Sequence, residues 1–200
     1  SGRRRWSSWR STRCSAPVSA QVTNQAFRRR TTSCSPGHPG AAPANAAVVS
    51  EAKLQGDIAY LTNKQRQLNG CKAVHVDVRL TTAARVQSTY MARSGSFSHV
   101  GSGGSTFVAR VKAARYPRPA GENIAWRGTK PAVPDPVATT ARLHQDLFVD
   151  ANYPGRGHRV NILSNDYREI GAGVAAGDFT GYNAEMVTED FAASGSGSFL

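Results

Sequence analysis

The first acidic side chain in this sequence is Glu51, and eight arginines precede it. The 150 residues after position 50 carry 17 Lys and Arg against 13 Asp and Glu, so most of the net charge of +12 resides in the leader. Residues 1–45 hold Arg3-Arg4-Arg5, Arg28-Arg29-Arg30, many Ser and Thr, and the run Ser35-Pro36-Gly37-His38-Pro39-Gly40, with no apolar periodicity. Such a segment cannot bury enough surface to offset the entropy of ordering it, and it is expected to be disordered. It reads either as a basic arm that attracts nucleic acid or an anionic surface, or as a solvated or processed tail. It contains no apolar core of the ~7 to 15 residues that a secretory signal needs, so an export signal would have to precede Ser1. The longest apolar stretch, Ala46 to Val49, is far short of the ~18 to 20 residues of a membrane-spanning helix.

From Ala46 the pattern changes, and 40% hydrophobic residues overall suffice for a core. Val48, Val49, Ala52, Leu54, Ile58, Leu61 and Leu68 mark a helix with one apolar stripe, closed by Asn69-Gly70. Leu80, Ala83, Ala84, Val86, Gln87, Tyr90 and Met91 mark a second, stopped near Gly95. Ser105 to Ala114 fits a short third helix before Tyr116-Pro117 breaks it. Pro131 to Pro136 reads as a loop, and Pro136 as the first turn of a helix running to about Phe148. Ile170–Ala176 and Glu185–Phe191 read as strands joined by the turn-rich Gly177-Asp178-Phe179-Thr180-Gly181. Helices thus dominate the first half and strands the second. The expected class is α+β, with helices covering a small, mostly antiparallel sheet over residues 46–193, then a Gly/Ser tail over 194–200.

The histidines outside the leader are His75, His99, His144 and His158. His75 alternates with Val74, Val76 and Val78, which puts it on the polar side of a short extended segment. The other three sit beside turn residues or at element ends, and Glu122 lies in an acid-poor stretch. Neutral imidazoles with a carboxylate suit zinc, but no H-x-x-x-H, H-E-x-x-H or paired C-x-x-C is present, so any metal site must be assembled from distant segments. Gly171-x-Gly173-x-x-Ala176 matches a loose dinucleotide fingerprint, yet the turn residues after it deny it the helix it needs. The glycines are better explained by close backbone packing in a strand. No G-x-S-x-G elbow occurs. Cys71 stands alone in the folded region; Cys14 and Cys34 pair with each other or with Cys71.

Four ordered motifs carry a resemblance. Ser96-Phe97-Ser98-His99, Gly121-Glu122-Asn123-Ile124-Ala125-Trp126, Gly157-His158-Arg159-Val160-Asn161-Ile162-Leu163 and Ile170-Gly171-Ala172-Gly173-Val174 together resemble the CAP superfamily. This is the superfamily of cysteine-rich secretory, antigen 5 and pathogenesis-related proteins, and the likeness is to its bacterial SCP-like branch. The resemblance implies a three-layer α-β-α sandwich with a cavity lined by two His and two Glu. The first His falls on His99, the first Glu on Glu122 and the second His on His158. The helix that supplies the family's second Glu here brings His144 near that position, with Asp146 or Asp150 reachable by a small shift. The implied metal ligands are therefore His99, Glu122, His144 and His158, with zinc as the cofactor, and the candidate catalytic residues are His99, Glu122 and His158. Ser98, Asn123 and Asn161 are expected at the cleft rim, with the Gly101–Ser105 loop as a flexible edge. The implied function is an exported, extracellular module that binds a metal and a small or lipid-like ligand. The alternatives are a hydrolase in the same cleft and nucleic-acid or anionic-surface binding through the leader.

Overall fold

The computed structural model describes residues 49–194. The expectations for the leader, for Cys14 and Cys34, and for all but the first residue of the Gly/Ser tail lie outside the described residues. The first helix, α1 (Glu51–Leu68), starts where the Ser50 side chain accepts a hydrogen bond from the Lys53 backbone N–H, an N-cap that satisfies one orphan donor. A two-residue strand, β1 (His75–Val76), leads to α2 (Val78–Ser94), capped by Asp77 and stopped by Gly95 in the left-handed region at φ 63°. A single 3-10 turn at Ser102–Gly104 precedes α3 (Phe107–Ala113). Then come β2 (Pro119–Thr129), α4 (Pro136–Val149), α5 (Gly157–Leu163), β3 (Glu169–Phe179) and β4 (Tyr182–Ala192). None of the helices is long and apolar enough to cross a membrane. Cys71 is disulfide-bonded.

Two expectations about the elements need correction, and one short helix was not foreseen. Helices and strands are interleaved, because residues 119–129 form a long strand and α4 and α5 follow it. Its apolar alternation is hidden by Glu122 and Asn123, both buried polar. Gly157–Leu163 is a helix of seven residues, too short for a periodic stripe to reveal. The turn between the last two strands is only Thr180-Gly181, with positive φ at both (53° and 79°), the backbone of a tight hairpin that suits the sheet's twist. Gly177, Asp178 and Phe179 belong to β3.

The sheet runs β1-β3-β4-β2, antiparallel except for β1 against β3. Successive side chains on a strand face opposite ways, and β4 shows this directly. Val187 and Phe191 join Leu54, Ile58, Leu143 and Leu147 in the core beneath α1 and α4. Met186 and Ala192 pack towards α2 and α3, with Met91 and with Leu80 and Val111 respectively. The result is an α+β three-layer sandwich, with α2 and α3 on one face and α1, α4 and α5 on the other. Arg66, fully buried in α1, ties that second layer together. It donates to the carbonyls of Lys72, Ile162, Ser164 and Tyr167 at 2.7 to 3.2 Å. Burial, and next the charge of Arg168, lowers its pKa to about 10, so it remains charged at neutral pH.

On the α2 face of β3, three of the four positions from 171 to 177 are glycine and Ala175 is the fourth. A Cβ on Gly171 would lie 2.1 Å from the Leu80 carbonyl carbon, one on Gly173 2.4 Å from that of Ala84, and one on Gly177 2.2 Å from the Ala92 oxygen. The helix therefore rests on bare backbone, which accounts for the glycine pattern as strand packing. Ser88 closes the contact, donating to the Gly173 carbonyl at 2.8 Å and meeting Thr188 Oγ1 at 3.0 Å.

Two predictions arise here. Gly173→Ala forces backbone against backbone and should cost about 3 kcal/mol or more, or prevent folding. Gly56→Ala in α1, where a Cβ meets nothing within 4 Å, should stabilise by about 0.5 to 1 kcal/mol; denaturant melts of the two variants read both. Glu185, buried beneath α4 and accepting from Thr140 Oγ1 at 2.6 Å, has its pKa raised from 4.5 to about 7 by burial and, secondarily, by Asp135. The folded state holds that proton after the unfolded chain has lost it. Its contribution is thus fully present below pH 4.5 and lost as pH rises to about 7. Glu185→Gln should flatten that decline and gain about 1 to 3 kcal/mol at pH 8; urea midpoints across pH 4 to 8 measure it.

Candidate functional site

The site residues fall into three imidazole–carboxylate pairs. The first is built on α2, α3 and β2. Gln87 of α2 donates to the Ser98 carbonyl, and Arg110 of α3 donates through Nη1 to the His99 and Ser105 carbonyls at 3.2 and 2.8 Å. These bonds, and Gly101, whose Cβ would meet Gln87 Oε1 at 2.6 Å, anchor the loop expected to be a flexible edge. Ser98 Oγ, expected at the rim, accepts from the Val100 N–H and closes the turn. His99 is then held with Nδ1 at 2.8 Å from Glu122 Oε1, while Arg110 Nη2 donates to Glu122 Oε2 at 2.5 Å. Glu122 and Arg110 are buried and His99 is more than half exposed. Behind them lies Asp190 of β4, the register partner of Glu122 and fully buried. Burial, and next the negative charge of Glu122, raises the Asp190 pKa well above its ordinary value and favours its neutral form.

The second pair is His158 and Asp150. Asp150 ends α4 in the left-handed conformation at φ 48°, and its Oδ2 accepts from the backbone N–H of His158 at 2.9 Å. Its Oδ1 meets His158 Nδ1 at 2.8 Å. One carboxylate thus satisfies the start of α5 and fixes the imidazole, leaving Nε2 for a ligand. Tyr153 packs edge-on against the ring at 4.8 Å.

The third pair, His144 Nδ1 and Glu189 Oε1 at 2.8 Å, is wholly buried between α4 and the sheet. Asn123 Nδ2 donates to Glu189 Oε2 and to the His158 carbonyl, and Asn161 donates to Asn123 Oδ1. Asn123 is fully buried and Asn161 half-buried, and neither lines the open cleft beside β2. Glu122 and Asn123 are neighbours on β2, as are Glu189 and Asp190 on β4, and neighbours on a strand face opposite ways. His144 therefore lies across the sheet from Glu122.

The four implied metal ligands consequently do not form one ligand set. An imidazole held at Nδ1 by a carboxylate is the arrangement found behind metal-bound histidines. Here, however, Glu122 has both oxygens engaged and His144 belongs to the opposite face. Among the described residues no three His, Cys, Asp or Glu side chains gather as a metal group. The residues present do not fit a four-ligand zinc site.

An open cleft of about 390 Å³ runs along the outer edge of β2. Phe97, Ile124 and Trp126 line one side, and Asp146, Asp150, Asn152, Tyr153 and His158 the other. The residues that sequence reasoning missed are Arg110, Glu189 and Asp190. The adjacent acids inside an otherwise apolar final strand were a signal that they serve buried partners. Arg110, in a short helix with other cations, gave none. Arg110→Ala should strand Glu122 and loosen the His99 loop, at a cost of about 3 to 5 kcal/mol. Arg110→Lys should restore little, because a single ammonium group cannot replace the forked contacts; urea denaturation of both variants measures this.

Comparison with known proteins accords with this architecture. The sequence profile of the Cysteine-rich secretory protein family matches residues 59–191. The uncharacterized protein YkwD of Bacillus subtilis (strain 168) is 30% identical over 159 residues, covering 79% of this chain. The chain spans about half the length of that curated relative, 49%. An extracellular protein containing a SCP domain from Bacillus anthracis str. Ames shares the fold at a TM-score of 0.53 and 23% identity, over 72% of this chain and 41% of that one. The CAP domain of Enterococcal PrgA does so at 0.54 and 14%, over 75% and 66%. With its four motifs placed on this sandwich, the chain belongs to the cysteine-rich secretory protein, or CAP, family.

Proposed function

We propose that the chain is an exported binding module that holds a small ligand in the cleft along β2, with His158 as its polar anchor. The observation that carries this reading is the His158 ring, fixed through Nδ1 by the buried Asp150 and lining the cleft opposite Phe97 and Trp126. Fixed polar groups facing an apolar wall are what small-molecule sites require. Export is supported by the likeness to an extracellular protein of Bacillus anthracis. A hydrolase would need His99, Glu122 and His158 around one water. Glu122 has both oxygens engaged by His99 and Arg110, and of the three only His158 lines the cleft, so binding is the better-supported activity.

Thermal melts of the full chain against a small-molecule library, with zinc chloride and palmitate included, test the proposal. A ligand that binds only the folded state at 100 times its Kd adds ~2.7 kcal/mol, which at this size is a shift of roughly 5 to 10 °C. At least one compound should give such a shift in the wild type and lose it in His158→Ala. No shift from any compound, or shifts that survive the substitution, would overturn the reading. Conversion of a bound compound to product would assign a hydrolase instead.

A further inference from the structure

The two sides of the cleft differ in chemistry, and the difference bears on what occupies it. One side is aromatic. Trp126 rests on Phe179 with ring centroids 4.5 Å apart, and Phe97 meets the same Phe179 edge-on at 6.5 Å. Phe179 thus braces two rings that are themselves partly exposed in the cleft. The other side sets hydrogen-bonding groups among the apolar Leu147, Val149 and Ala151: the Asp146 carboxylate, the Asn152 carboxamide, the Tyr153 hydroxyl and the His158 imidazole.

Its charges are already matched. Asp146 is paired with Arg127 at 2.9 Å and Arg142 at 3.1 Å, and Asp150 with His158. An anion finds no uncommitted Lys or Arg among the lining residues, and a cation finds no uncommitted carboxylate. A lipid chain would leave the polar side without partners, which is costly once water is displaced. A flat aromatic ligand would satisfy the rings and again neglect the opposite side. The ligand that matches both sides is neutral, with an apolar face and a margin of hydroxyls that both donate and accept.

Building on the cleft reading above, we infer that the cleft binds a neutral saccharide, its C–H face stacked on Trp126 and Phe97 and its hydroxyls bonded to Asp146, Asn152 and His158. Sugar hydroxyls donate and accept as water does, so they can take over the hydration of that polar side at little desolvation cost. The aromatic platform supplies contact area at small entropic cost.

The experiment is saturation-transfer NMR on the full chain with cellotriose, N-acetylated chitotriose and maltotriose. At least one should receive saturation, strongest at the ring C–H protons of a single face. Trp126→Ala should weaken its affinity about tenfold or more. Because Trp126 also packs on Phe179, Asn152→Ala, at an exposed position, provides a second reading and should weaken the same ligand severalfold with an unchanged melt. Saturation of none of the three sugars, or a signal that survives both substitutions, would overturn the saccharide assignment. If the melt screen has meanwhile yielded another His158-dependent ligand, such as palmitate, the cleft reading stands and only the saccharide falls. If it has yielded none, both fall.

Discussion

The separation between α2 and β3 is the constraint on which the rest of this structure depends. Gly171, Gly173 and Gly177 allow the helix to lie directly on strand backbone, at distances no Cβ would permit. That contact fixes where α2 ends, at Gly95, and so where the loop carrying Phe97 and His99 begins. Gln87 on the helix and Arg110 on α3 then hold the loop by its carbonyls. His99 reaches Glu122 because the layer bearing it sits that close to the sheet.

The sheet acts as a partition. Its side chains alternate faces, so neighbouring polar residues serve separate networks. Glu122 answers to Arg110 and His99 on one side, with Asp190 buried beside it; Asn123 and Glu189 answer to His144, His158 and Asn161 on the other. Three imidazoles are each fixed by a carboxylate, yet they are not thereby brought to one point. What reaches solvent beside the aromatic side of the cleft is His158, at the free edge of β2.

Buried charge is unusually prominent for so small a domain. Arg66 replaces apolar packing with bonds to carbonyl oxygens from the chain around α5. Asp190 and Glu185 stay protonated more readily than exposed acids because ionisation in the core is unfavourable. Such groups add little net stability, but an unpaired member is costly, so each pair fixes the register of the elements that carry it.

Much of the fold was legible in the sequence because it depends on local chemistry. The apolar stripes of α1 and α2, the stops at Gly70 and Gly95, Pro136 at the start of α4 and the two final strands follow from propensity and periodicity. The four motifs carried the family, and with it the expectation of layers and of His99, Glu122 and His158 as site residues. What tertiary structure decided was which of these meet. Glu122 lies in a strand that its own polar residues disguised, and Arg110 gave no sign that it would be its counter-charge. His144 aligned with a cavity position yet faces the opposite side of the sheet, because the face a helical residue presents depends on where its helix docks. Sequence sets the chemistry of each side chain and the element that carries it. Which side chains share one environment is set by the packing of elements distant in the chain, and local pattern holds no record of that.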